Sequence, residues 1–332
     1  MALTDLSLAQ LREFEPDVHM PQDFKQFWES TLKQTRSRIA DAAGEDASQV
    51  RIELAQTPFE QVDFYDFEFP GFNGDPIRAW LSGPAGFMSN GTYPVMLHYH
   101  GYGGGRGIPG AYAHWSMAGY IHVSMDSRGQ GGDFGGYSAT PDPHPASHHA
   151  RGFMSNGIES RDTYYYRRLI TDAVMAVDAI LDLPTIDRSR IYATGASQGG
   201  GLALAVGALH KDIRAVLPDV AFLCNFRRGI DMTDQNPFRE LARFFNAYPD
   251  QVDHFVEVLN YFDGVNFSRI ATKPALFSVG LMDEDVPPST TFSAFNVYSG
   301  EKEIEVYPFA GHEGGGLHHF FKQARWIQTL ES

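Results

Sequence analysis

"IYATGASQGGGLALAVGAL", residues 191–209, sets a β-branched, apolar run against a glycine cluster and boxes Ser197 between Gly195 and Gly199. A sharp strand-to-helix turn needs this pattern. It pushes the serine Oγ outward and places glycines where side chains would collide with neighbouring backbone. An ordinary glycine-rich turn is the other reading of so short a motif, so the surrounding chain must choose between them.

The chain has 332 residues, 43% of them hydrophobic, enough to bury a large core in one compact α/β domain spanning residues 1–332. Its 26 basic and 41 acidic residues give a formal charge of −15, which opposes binding to nucleic acid or to an anionic membrane, and no local basic patch offsets it. Cys224 is the single cysteine, so no intrachain disulfide forms. "MALTDLSLAQLREFEPDVHM" lacks a basic stretch followed by an apolar core, and no run reaches the roughly 18 apolar residues of a membrane span. A cytoplasmic location is the expectation.

"DFYDFEF" and "PIRAWLSG", joined by "PGFNGD", read as an antiparallel hairpin at a sheet edge. The later runs "PVMLHYH", "YIHVSMD", "RIYATG", "AVLPDV", "PALFSVG" and "EIEVYPF" are short and mostly apolar, as strands buried on both faces are. Helical spacing of Leu169, Ala173, Val177 and Ile180, and of Phe320, Ala324, Ile327 and Leu330, falls between or after them. The alternation predicts a doubly wound, mostly parallel sheet with helices on both faces, preceded by an N-terminal helical extension. Residues 133–162 and 226–265 fit the alternation poorly and read as excursions over the sheet's C-terminal edge.

Ser197 thus follows a predicted strand and precedes a predicted helix, the setting that an exposed nucleophile requires. A serine hydroxyl also needs a base held by a third group. "ALFSVGLMDED" ends one strand near Asp283, and "EVYPFAGHEGGG" ends another near His312, in the chain order Ser, Asp, His. Sequence order alone leaves Asp285 as an alternative to Asp283. An acyl-transfer site further needs two donors for the developing oxyanion. The Gln198 N–H, directly after the serine, is one. The loop "HGYGGGRG", residues 100–107, offers the other, at Tyr102. That loop matches neither GxxxxGK[ST] nor GxGxxG, which sets nucleotide binding aside. In "DSRGQGG", Arg128 reads as a brace between loops rather than a substrate ligand.

Taken together, "HGYGGGRG", "DSRGQGG", "TYYYRRLITDAV", "GASQGGGLALAVGAL", "DVAFLCNFRR", "YFDGVNF", "SVGLMDEDVPPST" and "GHEGGG" resemble the acetyl xylan esterase and cephalosporin C deacetylase family of α/β-hydrolases, through most of the chain. The resemblance implies a triad of Ser197, Asp283 and His312 and an oxyanion hole from the N–H groups of Tyr102 and Gln198. It also implies a small acyl pocket lined by Tyr102, Trp115, Phe222 and Pro237. The implied enzyme is a serine esterase that deacetylates small acetylated sugars, acetylated xylooligosaccharides and cephalosporin C among its substrates, with no metal or organic cofactor. Family members commonly assemble as hexamers, which implies a homo-oligomer. His98 and His100 depart from the family's strand; their i, i+2 spacing puts them on one face, as an incomplete metal-ligand pair or as buried imidazoles.

Fold and triad alone do not choose the acyl substrate, so a serine peptidase or thioesterase remains an alternative, as does a noncatalytic carbohydrate-binding protein on the same fold. Acetyl esters, thioesters and peptide amides separate the enzymes, and a serine-directed phosphonate separates enzyme from binder.

Overall fold

In the computed structural model, which describes residues 5–43, 49–132, 137–144 and 149–331, nine strands build one sheet. They are β1 (Arg51–Leu54), β2 (Val62–Pro70), β3 (Pro76–Pro84), β4 (Tyr93–Tyr99), β5 (Ile121–Met125), β6 (Ile186–Ala196), β7 (Ala215–Asp219), β8 (Ala275–Gly280) and β9 (Lys302–Tyr307). The order across the sheet is β1-β2-β3-β5-β4-β6-β7-β8-β9. From β5 to β9 all neighbours run parallel, whereas β1, β2 and β3 pair antiparallel and join the rest through β3 and β5. The expected hairpin is present as β2 and β3, but β1 takes the edge position. β1 carries no apolar alternation that sequence reasoning could find, since three of its four residues are exposed.

The helices are α1 (Leu8–Arg12), α2 (Phe24–Ala43), α3 (His114–Met117), α4 (Tyr165–Ile180), α5 (Gln198–Leu209), α6 (Phe226–Met232), α7 (Phe238–Ala247), α8 (Val252–Leu259), α9 (Gly264–Ile270), α10 (Pro288–Val297) and α11 (Gly316–Glu331). Alternation along the parallel strands sorts them into two layers. Val95, Leu97 and Tyr99 of β4, Ile191 and Ala193 of β6 and Val216 of β7 share a buried cluster with residues of α2, α4, α5 and α9. Met96, Tyr192, Ala215 and Leu217 share another with Trp115 of α3 and Ile327 of α11. Buried on both faces, these strands have no polar alternation, which is why they read as short apolar runs.

Met96 fixes the face of His98 and His100. Their rings lie 4.9 Å apart, His98 stacks on His122 at 5.3 Å, and His114 stands 6.3 Å from His122. His100 Nε2 is 2.9 Å from Ser124 Oγ, while both ring nitrogens of His122 lack a partner in hydrogen-bond geometry. Burial pushes His122 down to about 3 and His100 down to about 4, and His98 falls well below its ordinary value through burial and then the neighbouring imidazoles. His114 is lowered by burial as well. Among the described residues, the one set of three potential metal ligands with atoms within 4.8 Å of one another lies elsewhere, at Asp283, Asp285 and His312. The four rings pack against one another as imidazoles held toward the neutral form, His100 and His122 buried and His98 and His114 partly buried.

Because these folded-state values lie below that of an unfolded histidine near 6.5, the unfolded chain takes up protons first as the pH falls. The stability is complete above the unfolded value and drains as pH drops toward the folded values, at on the order of 1 kcal/mol per imidazole per pH unit. His122→Leu is therefore expected to flatten the fall in thermal unfolding temperature between about pH 6.5 and about pH 5. An unchanged acid slope would remove His122 from this account.

Candidate active site

Ser197 stands between β6 and α5 at φ 58° and ψ −122°, a region that non-glycine residues occupy at a strain on the order of 1–3 kcal/mol. The surroundings hold it there: its N–H donates to the Asp219 carbonyl at 2.9 Å, and its own carbonyl accepts from Phe222 N–H at 2.9 Å. The two flanking glycines are required by close backbone approach. A Cβ on Gly195 would stand 2.5 Å from the Gly199 carbonyl carbon and 2.6 Å from the Tyr99 carbonyl oxygen; on Gly199 it would meet that same oxygen at 2.0 Å. The turn is thus wedged against the end of β4, with Ser197 8% exposed at its apex.

Asp283, beyond β8, and His312, beyond β9, are joined by a 2.8 Å hydrogen bond between Oδ2 and Nδ1. Asp283 is 1% exposed, and its Oδ1 accepts from the N–H groups of Asp285 (3.0 Å) and Val286 (2.8 Å). A carboxylate only accepts, so the imidazole proton sits on Nδ1 and Nε2 keeps its lone pair. Burial lowers the His312 pKa, but the hydrogen bond and charge of Asp283, with Asp285 and Glu313 beyond, outweigh it and leave the value raised. Of the two acids it is Asp283 that bonds His312, while Asp285 lines the adjacent cavity.

Beside the elbow runs the Gly101–Tyr102 peptide; a Cβ on Gly101 would lie 3.8 Å from Ser197 Cβ. Gln130 ties this loop to the start of α5. Its Oε1 accepts from Gly103 N–H at 2.7 Å, and its Nε2 donates to Gln198 Oε1 at 2.8 Å. Gln130 is 4% exposed, a link between the two candidate donor segments. Arg128 is a brace, as expected, though its partners are not the neighbouring Asp126. It donates twice to Asp172 of α4, at 2.6 and 2.7 Å, and once to Asp75 of the β2–β3 turn at 2.9 Å.

A cavity of about 1010 Å³ gathers Ser197, His312, Tyr102 and Pro237 with Phe153, Asn156, Asn236, Glu240, Arg243 and Asp285. Both excursions contribute to it through their described residues; 133–136 and 145–148 lie outside those. Phe222 is fully buried behind this wall, with its ring 6.5 Å from that of Tyr102. Trp115 does not belong to the pocket. It packs edge-on against Phe320 at 4.9 Å and Tyr120 at 5.1 Å in the α3–α11 layer, where its indole fills core volume. Glu240 escaped the sequence reading: it sits in an excursion with no motif around it, and only the fold brings it to Tyr102.

A parallel sheet with a strained serine at the β6–α5 turn and an Asp-held histidine beyond later strands defines an α/β-hydrolase. A model of the acetyl xylan esterase family matches residues 1–330, and the chain belongs to that family. The acetyl xylan esterase from Paenibacillus sp. R4 is 33% identical, with a TM-score of 0.87 over 98% of this chain and 99% of that one. Acetyl xylan esterase 1 from Thermoanaerobacterium sp. JW/SL YS485 is 29% identical, with a TM-score of 0.85 over 99% and 100%. Acetyl esterase Axe7A of Xylanibacter ruminicola is 26% identical over 306 residues, 90% of this chain, which spans 65% of that relative's length.

If Asp283 orients His312, Asp283→Asn should lower turnover by up to about 10⁴-fold while the chain stays folded, because an amide favours the wrong tautomer. Loss of the carboxylate also lowers the His312 pKa, so the residual activity should persist to lower pH than in the parent. Asp285→Asn should keep most activity. Turnover, its acid limb and thermal unfolding, measured for both variants, would reverse the assignment if the losses were exchanged.

Proposed function

We propose that this protein is a serine esterase that removes acetyl groups from small acetylated sugars, acetylated xylooligosaccharides first among them, with cephalosporin C as a further substrate. One observation carries the reading: a strained Ser197 shares a cavity with an imidazole whose Nδ1 is bound by a buried carboxylate. Ser197 Oγ attacks the acetyl carbonyl as His312 Nε2 takes its proton. The N–H groups of Tyr102 and Gln198 receive the oxyanion, and His312 then protonates the leaving alcohol. A water repeats the cycle on the acetyl-enzyme with the same base.

Cavity size supports a sugar-sized alcohol. An acetyl group fills a small part of about 1010 Å³, and the polar lining from Asn156, Asn236 and Arg243 suits hydroxyl-rich ligands. The acyl end lies against Tyr102 and Pro237, with Phe222 behind. Extra methylenes there meet close-packed walls at roughly 1–3 kcal/mol of strain. The proposal places the protein in the cytoplasm as a homo-oligomer, a hexamer as in the family resemblance. Exposed Phe309 (86%), Leu317 (70%) and Phe321 (60%) supply apolar surface for such contacts. Among the described residues no helix is long and apolar enough to cross a membrane.

Folded Ser197→Ala should lose acetyl-ester turnover and labelling by a serine-directed phosphonate, and wild-type turnover by that variant would refute the nucleophile. In the parent, acetate esters should be cleaved at least about tenfold faster than butyrate esters, and acetyl esters faster than thioesters or peptide amides. Equal rates for octanoate would remove the narrow acyl pocket. A monomer by light scattering at all working concentrations would remove the assembly.

A further inference from the structure

Glu240, in the first turn of α7, is 6% exposed beside the cavity. Its Oε2 accepts the Tyr102 hydroxyl at 2.6 Å and Met154 N–H at 3.3 Å, while Phe153 N–H donates to Tyr102 Oη at 2.5 Å. The direction of this chain is fixed. The carboxylate can only accept, so the Tyr102 proton points to Glu240 and the hydroxyl's lone pair takes the Phe153 donor. Space for the carboxylate is reserved at Gly152, whose Cβ, were there one, would fall 2.1 Å from Glu240 Oε2 at a φ of 106°. Burial raises the Glu240 pKa against the opposing pull of Tyr102, the Met154 and Phe153 N–H groups and Arg243.

A Phe at position 102 facing an apolar residue at 240 would pack the same volume with no charge to desolvate, so stability alone does not call for this pair. What the pair does is tie the Tyr102 side chain to two excursions at one point. The Gly101–Tyr102 peptide beside Ser197 then has two anchors: Gln130 on the Gly103 N–H, and Glu240 through the Tyr102 ring. The ring is further held edge-on by Phe153 at 5.9 Å.

We infer that Glu240 is a positioning residue for the oxyanion hole, holding the Tyr102 N–H in line with the carbonyl oxygen through the Tyr102 hydroxyl. This rests on the reading of Tyr102 as an oxyanion donor in a Ser197 esterase. A donor displaced by a fraction of an ångström still allows substrate to bind but stabilises the transition state less.

The test compares Glu240→Ala, Tyr102→Phe, their combination and Glu240→Gln for kcat and KM on an acetyl ester, for the rate of phosphonate labelling at Ser197, and for thermal unfolding. Glu240→Ala and Tyr102→Phe are each expected to lose about 10- to 100-fold in kcat with KM little changed, less than the full loss of a donor. The labelling rate should fall in parallel. The double variant should be no slower than the worse single, because both cut one chain of bonds. Glu240→Gln should recover the greater part of the loss, since its amide oxygen can accept from the same two donors. Unchanged kcat in folded Glu240→Ala, multiplied losses in the double variant, a loss carried by KM, or no recovery in Glu240→Gln would each overturn the inference. If Glu240→Ala unfolds, Tyr102→Phe and Glu240→Gln decide by the same readouts. Absence of Ser197 labelling in the parent protein would instead overturn the esterase reading on which the inference rests.

Discussion

The approach of the Tyr99 carbonyl to the β6–α5 turn sets the geometry of the molecule's reactive end. Only a chain without Cβ atoms at 195 and 199 can come that close, and the closeness forces Ser197 into its strained backbone angles. The same contact registers β4 against β6, which pair in parallel from Val95 to Tyr99. The loop that leaves β4 therefore emerges directly beside the serine. Candidate nucleophile and candidate donor loop come from adjacent strand ends, at the edge where doubly wound sheets collect ligands.

Around that edge, buried charge holds irregular chain in place. Arg128 is completely buried and joins α4, the β2–β3 turn and, at 3.4 Å, Asp142; Arg168 of α4 also bonds Asp142 at 2.7 Å. Such ions are costly to desolvate, and removal of any one partner would leave another charge uncompensated. Loops without a regular ladder gain a defined position in this way, and the cavity wall inherits it.

Legibility in the sequence followed the range of the physics. The parallel strands, α4 and α11 were readable because burial on both faces and helical periodicity are local patterns. Ser197, Asp283 and His312 were readable because each lies just past a strand, although the choice between Asp283 and Asp285 came from resemblance and needed the Oδ2–Nδ1 contact to have a physical basis. The cavity lining was readable only in part: Tyr102 and Pro237 line it as the resemblance implied, and the rest comes from long-range packing. The resemblance implied Trp115 as a pocket residue, but it belongs to the α3–α11 layer, and Glu240 lies in an excursion with no motif around it yet meets Tyr102 across 138 residues of chain. β1 escaped because an exposed edge strand has little hydrophobic pattern to display.

The raised His312 and the depressed imidazoles behind β4 give the protein two acid thresholds in a definite order. Hydrolysis of an ester at neutral pH liberates a carboxylic acid, so each turnover of the proposed reaction acidifies its surroundings. As that acid accumulates, the His312 imidazole takes up its proton before His100 and His122 do, so the candidate site responds to its own product while the histidine cluster beneath the sheet is still uncharged.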